Sequence, residues 1–113
     1  MSESQYTNRI KAKLEGEGAF CFKIRPGNGQ RVGMPDMHVT VPGLACWLEF
    51  KWNTWALRPA QLSVGRKLAD RDAPWLLIRG PEGAVRDIDG NELGTLDLKA
   101  PLVPQLTALT RTT

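Results

Sequence analysis

Leu44-Ala45-Cys46-Trp47-Leu48-Glu49-Phe50-Lys51 is the stretch from which the rest of the chain can be read. As a β-strand it puts Leu44, Cys46, Leu48 and Phe50 on one face and Ala45, Trp47, Glu49 and Lys51 on the other. The first face is wholly apolar and predicts burial. The second sends out a carboxylate and an amine two residues apart, beside a core where charge is costly without partners. Either these two groups belong to a site, or the strand ends there and they meet water.

Upstream, Pro42-Gly43 is a turn signal, and a short strand is expected over about 36–41. If that turn joins antiparallel neighbours, Asp36 lies about as far from it as Glu49 and Lys51 do, and so falls beside them. Two carboxylates brought together repel unless a proton or a cation sits between them. A hard dication takes oxygen ligands, polarises a phosphoryl oxygen and acidifies bound water, and an adjacent ammonium can orient that water or stabilise transition-state charge. The residue types therefore suit phosphodiester hydrolysis.

Farther out, Ser2-Glu3-Ser4-Gln5 opens a capping box for a helix over 3–15, with Tyr6, Ile10 and Leu14 as its apolar stripe and Gly16 and Gly18 as stops. Ala19 to Arg25 reads as a half-buried strand with Phe20, Phe22 and Ile24 on one side. Pro26 to Gly33 reads as a loop without the Gly-Lys-Ser/Thr ending of a nucleotide-binding P-loop. A second helix is expected over 59–71, with Pro59 in its first turn, an Ala60, Val64, Leu68 stripe, and Gly65 as a weak point. Trp75-Leu76-Leu77-Ile78 has the composition of an interior strand. One or two edge strands within 80–94 and a short C-terminal helix complete the expectation. The order predicts an α/β fold: helix, three strands, helix, strand, in a mixed sheet flanked by helices.

The 113 residues suit one domain. With 15 Lys+Arg against 12 Asp+Glu the net charge is +3, and the first 80 residues alone sum to +5 around one short acidic centre, a balance that fits a polyanionic partner. Two cysteines and one histidine are too few for a disulfide framework or a zinc knuckle, so Cys21 and Cys46 read as buried thiols. No apolar run approaches the ~18 residues of a membrane span, and the opening residues lack the apolar core of a secretory signal. A cytoplasmic protein with no membrane partner is expected.

Gly33-Met34-Pro35-Asp36, twelve further residues, then Glu49-Phe50-Lys51 resembles the Pro-Asp…(Asp/Glu)-x-Lys signature of the restriction-endonuclease-like nucleases. Within that superfamily the chain is similar to the small virus-type replication-repair nuclease (VRR-NUC) domains, often found in phages and prophages. The resemblance covers roughly residues 3–80; residues 81–113 lie outside it as a variable appendix to one domain spanning 1–113. It implies that Asp36 and Glu49 bind Mg²⁺ or Mn²⁺ with the Phe50 carbonyl and that Glu3 is a further ligand. It implies also that Lys51 is the catalytic lysine and that Gln61 orients the site or contacts substrate. The family's hydrophobic-Ser-x-x-Gln stretch stands here as Leu57-Arg58-Pro59-Ala60-Gln61, with Arg for Ser, so capping of that helix should differ.

Several other residues carry two readings. Trp52 and Trp55, with Arg58, either stack on bases and line a DNA groove or pack beneath a loop. Arg31 either clasps a phosphate or stands in solvent, Lys11 either contacts a DNA backbone or belongs to a solvated helix face, and His38 is either a site residue or a half-buried imidazole. The resulting expectation is a metal-dependent endodeoxyribonuclease for branched DNA such as Holliday junctions or flaps. The two-fold symmetry of a junction favours a homodimer. The alternative is a non-cleaving nucleic-acid-binding module on the same fold; a structural or inhibitory protein would leave the basic surface unexplained.

Overall fold

The computed structural model describes residues 1–24 and 31–111. Nine elements follow one another among them: α1 (Glu3–Gly16), β1 (Phe20–Lys23), β2 (Met37–Val41), β3 (Leu44–Trp52), α2 (Pro59–Ala69), β4 (Trp75–Gly80), β5 (Ala84–Arg86), β6 (Glu92–Thr95) and α3 (Leu102–Arg111). The strands form one mixed sheet in the order β1-β2-β3-β4-β5-β6, parallel only between β3 and β4. This is the α/β architecture expected. α2 supplies the crossover that a parallel pair requires. Most of the loop expected at 26–33 lies outside the described residues.

Local chemistry starts and stops the helices. Ser2 Oγ accepts from the Gln5 backbone N–H at 3.2 Å, and Gln5 Oε1 accepts in return from Ser2 N–H at 2.8 Å, satisfying two of the donors that a helix start leaves open. Tyr6, Ile10 and Leu14 are all buried on the face of the sheet that carries Leu44, Cys46, Leu48 and Phe50. Val39, Leu76, Ile78, Val85, Leu102 and Leu106 close the same core. Each such side chain contributes about 1.5–3 kcal/mol by leaving water. Residues beyond 80 thus supply two strands and a helix to this core, and Glu17 ties them in. Its carboxylate oxygens accept from the Leu102 and Val103 N–H groups at 2.8 Å each, capping α3 from the end of α1.

On the opposite face α2 packs against β4 and buries Val64 and Gly65. A Cβ at Gly65 would meet Ile88 Cδ1 at 2.7 Å and Trp75 Cε2 at 3.0 Å, so the weak point in the helix is where it approaches the sheet most closely. Ala60 and Leu68, expected on its buried stripe, are only half-buried.

β1 corrects one expectation. The side chains facing the core are Ala19 and Cys21, whereas Phe20 and Phe22 are 68% and 53% exposed. Register decides this over side-chain size: Cys21 stands beside Val39, and Val39 beside Cys46, in the buried row, which sends Phe22 outward with His38 and Trp47. No helix among the described residues is long and apolar enough to cross a membrane.

Candidate active site

The Pro42-Gly43 turn and the pairing Met37↔Leu48 set the geometry. One step past that last pair, Asp36 comes opposite Glu49. Asp36 Oδ2 accepts from the Phe50 backbone N–H at 2.8 Å, which anchors the acid to the strand. Because N–H and C=O of a strand residue point to the same side, the Phe50 carbonyl also looks toward Asp36, beyond the end of the β2 ladder. Glu49 is 1% exposed and its Oε1 is buried without a hydrogen-bond partner. Burial first, then a hydrogen bond to Asp36 and the charge of Asp36, push its carboxyl up to about 9, while the Lys51 ammonium pulls weakly the other way. Alone, the pair therefore holds a proton.

Lys51 leaves the same face. Its Nζ donates to Gln61 Oε1 at 2.9 Å, and that oxygen accepts also from the Arg58 backbone N–H at 2.9 Å. Gln61, three residues into the start of α2, takes the Arg58 N–H and fixes the lysine with the same atom. A tight approach delivers α2 to this place. Gly33, at φ +89°, lies so close to Ala60 that a Cβ there would stand 2.3 Å from the Ala60 carbonyl oxygen. Any side chain would push the loop carrying Asp36 away from the helix carrying Gln61.

Asp36, Glu49, the Phe50 backbone, Lys51 and Gln61 are thus brought together. Others are not. No three His, Cys, Asp or Glu residues converge as a metal-binding group among the described residues, so Glu3, exposed in the first turn of α1, does not join the acid pair. Trp52 is on the wrong face for DNA beside Glu49: alternation turns it toward α1, where it packs on Tyr6 with ring centroids 5.9 Å apart. Lys11 is paired with Glu15 at 3.1 Å on α1, which covers the face opposite to the one Glu49 and Lys51 leave. Arg31 is exposed beside the loop, and Arg58 is exposed at the start of α2. His38 packs edge-on against Trp47 at 4.5 Å with Nδ1 3.3 Å from Thr40 Oγ1; burial lowers its pKa, and it does not reach the carboxylates. Cys21 and Cys46 are free and buried, the latter pushed up to about 12 by burial.

Two cations escaped the sequence reading. Arg79 lies beside Lys51 on β4 and Arg86 beside Leu77 on β5, all on the Glu49 face. Their Cζ atoms stand 4.4 and 4.1 Å from the centroid of Trp55, so this indole is occupied by two guanidiniums, each contact worth about 0.5–1 kcal/mol near the surface. Only the strand register, invisible in the one-dimensional spacing, brings Arg79 and Arg86 to this ring.

A mixed sheet flanked by helices, with an Asp–Glu pair and a lysine where β2 begins, is an α/β fold consistent with a restriction-endonuclease-like nuclease core. Among solved structures, the chain is similar to one described as a VRR_NUC domain, with a TM-score of 0.59 and 25% identity over 69% of this chain and 83% of that one. The match supports a VRR-NUC domain, as the Pro35-Asp36 and Glu49-Phe50-Lys51 motifs imply, and it points to a nuclease. No protein-family model matches the chain, and no curated protein matches it.

Proposed function

We propose that the chain is a magnesium- or manganese-dependent endodeoxyribonuclease acting on branched DNA such as Holliday junctions or flaps. The observation that carries this reading is the buried Glu49 carboxylate, whose Oε1 has no partner, set beside Asp36 and next to a lysine held by Gln61. A carboxylate forced into a place where it must keep a proton is a destabilising feature, and it makes sense when a dication replaces that proton. Asp36, Glu49 and the Phe50 carbonyl form an all-oxygen donor set, which fits a hard cation. Such an ion, when bound, supplies Lewis-acid polarisation of a phosphoryl oxygen and makes water a stronger acid.

The chain's own groups do the rest. Lys51 spends one of three ammonium donors on Gln61 and keeps two with which to orient the attacking water or to stabilise charge growing on the phosphoryl oxygens. Gln61, fixed by the Arg58 N–H, limits the lysine to one position, which saves the entropy of finding it at each turnover. Asp36 is held in turn by the Phe50 N–H, so the pair of acids arrives pre-assembled. A junction is two-fold symmetric, and paired cuts would be made by two copies of the chain. In a bacterial or phage-infected cell this activity would serve DNA repair or recombination in the cytoplasm.

The test is cleavage of labelled four-way junction, flap and linear duplex with Mg²⁺, Mn²⁺ or EDTA. Cutting of the branched substrates that stops in EDTA and in Lys51→Ala is expected. Salt-sensitive binding with no cleavage in any metal would instead identify a binding module.

A further inference from the structure

We propose that Arg79 and Arg86, sharing the Trp55 indole, form a subsite that grips a backbone phosphate of the DNA strand flanking the one that is cut; this rests on the nuclease reading above. The register places Arg79 one strand from Lys51, about 4.8 Å away, and Arg86 two strands from Glu49, about 10 Å away, on the same face. That distance brings the guanidiniums alongside the bound strand without entering the reacting centre.

The arrangement has what an anion site needs. Both Cζ atoms lie over one ring, so two flexible side chains are held in place before any ligand arrives. Two like charges on one indole repel, and each counter-charge present offers its arginine a single carboxylate oxygen, Glu82 Oε2 taking both Nε and Nη2 of Arg79. Glu82, with a side chain 44% exposed, takes Arg79 at 2.7 Å, and Glu92, 76% exposed, takes Arg86 at 3.2 Å. Exposed pairs of this kind contribute little and exchange readily. Arg86 bonds to Glu92 with one of its five donors, and its Nε is buried against its surroundings without a partner. A phosphodiester presents two oxygens to such a fork, a better match than one exposed carboxylate oxygen. Trp55 is then the support of the subsite, which accounts for an aromatic residue next to the site whose ring is covered rather than free for a base.

Binding of labelled junction and duplex to the full chain in EDTA, titrated over salt, tests this. Each lost phosphate contact should reduce the slope of log affinity against log salt by about 0.9. The Arg79→Gln/Arg86→Gln variant, losing that one phosphate, should therefore lose about 0.9 from the slope, so that its affinity falls about 3.5-fold less than wild type's between 50 and 200 mM salt. In Mg²⁺ it should show a raised KM with kcat little changed, because the contact is made equally before and during reaction. Arg79→Lys/Arg86→Lys should keep the slope, and Arg71→Gln, at the far end of α2, should leave it unaltered.

Glu82→Gln/Glu92→Gln guards against misfolding of the arginine variants. Removing the competing carboxylates should tighten DNA binding in the wild-type background and much less in the Arg79→Gln/Arg86→Gln background, whereas a general effect of charge would tighten both alike. A wild-type slope and KM in the neutral arginine variant, or unchanged DNA affinity in the glutamine pair, overturns the proposal. Either result with metal-dependent cutting intact leaves the nuclease reading standing. A wild-type chain that cuts nothing in any metal defeats that reading itself.

Discussion

Replacing Glu49 by Gln should make the metal-free protein more stable while destroying its activity. In the folded chain the Glu49 carboxyl is pushed up to about 9 by burial and by Asp36, from an ordinary value of 4.5 in the unfolded chain. Between those two values the folded state holds a proton that the unfolded state has lost. Stability is therefore fully present below the unfolded pKa and falls as pH rises, by at most about 1.4 kcal/mol per pH unit. From pH 5 to 8 the ceiling is roughly 4 kcal/mol, and water entry and relaxation around the acid reduce it to an expected ~2 kcal/mol. Glutamine has the shape of the protonated acid and can donate to Asp36, so at pH 5 the two proteins should be nearly equal. At pH 8 the variant should be ahead by that ~2 kcal/mol. Urea denaturation in EDTA at pH 5, 6.5 and 8 measures this, with the difference between the two proteins cancelling groups such as His38, whose lowered pKa acts in the opposite direction. A difference that does not grow with pH, or a wild type that gains on the variant as pH rises, refutes the reasoning.

Gln61→Ala should cut kcat about tenfold or more, because the Lys51 ammonium loses its acceptor at 2.9 Å, with DNA affinity in EDTA unchanged; single-turnover cleavage and anisotropy separate the two. Glu17→Ala should lower stability by about 2 kcal/mol in a denaturant midpoint, since two backbone N–H groups of α3 lose charged acceptors, and limited proteolysis should then release the C-terminal segment first. Gly65→Ala should destabilise by about 1 kcal/mol despite the higher helix propensity of alanine, because its methyl would displace Ile88 Cδ1 and press on the rigid Trp75 indole at 3.0 Å; a melting temperature at or above wild type would contradict that contact.

The acid pair was legible in the sequence because three local signals agreed: alternation through Leu44 to Lys51, a two-residue turn at Pro42-Gly43, and equal distances outward from it to Asp36 and Glu49. α1 was legible for the same reason, its capping box and its Tyr6, Ile10, Leu14 stripe pointing to one answer. β1 misled because its larger side chains suggest the buried face, while the row through Cys21, Val39 and Cys46 determines it. Trp52 and Trp55 illustrate a further limit. Three residues apart in sequence, they finish on opposite faces of the sheet, one against Tyr6 and the other under two arginines. Glu17 capping a helix 85 residues later, and Arg79 beside Lys51, depend on long-range packing that no local pattern encodes.

Calorimetric titration of Mn²⁺ into the protein at pH 8, in buffers of different ionisation heat, probes the acid pair most directly. The wild type should bind the ion with release of the Glu49–Asp36 proton, and Asp36→Asn and Glu49→Gln should each lose that binding together with cleavage. Undiminished Mn²⁺ affinity in both variants, or DNA cleavage by the wild type that continues in EDTA, would show that these two carboxylates are not where the chemistry is done.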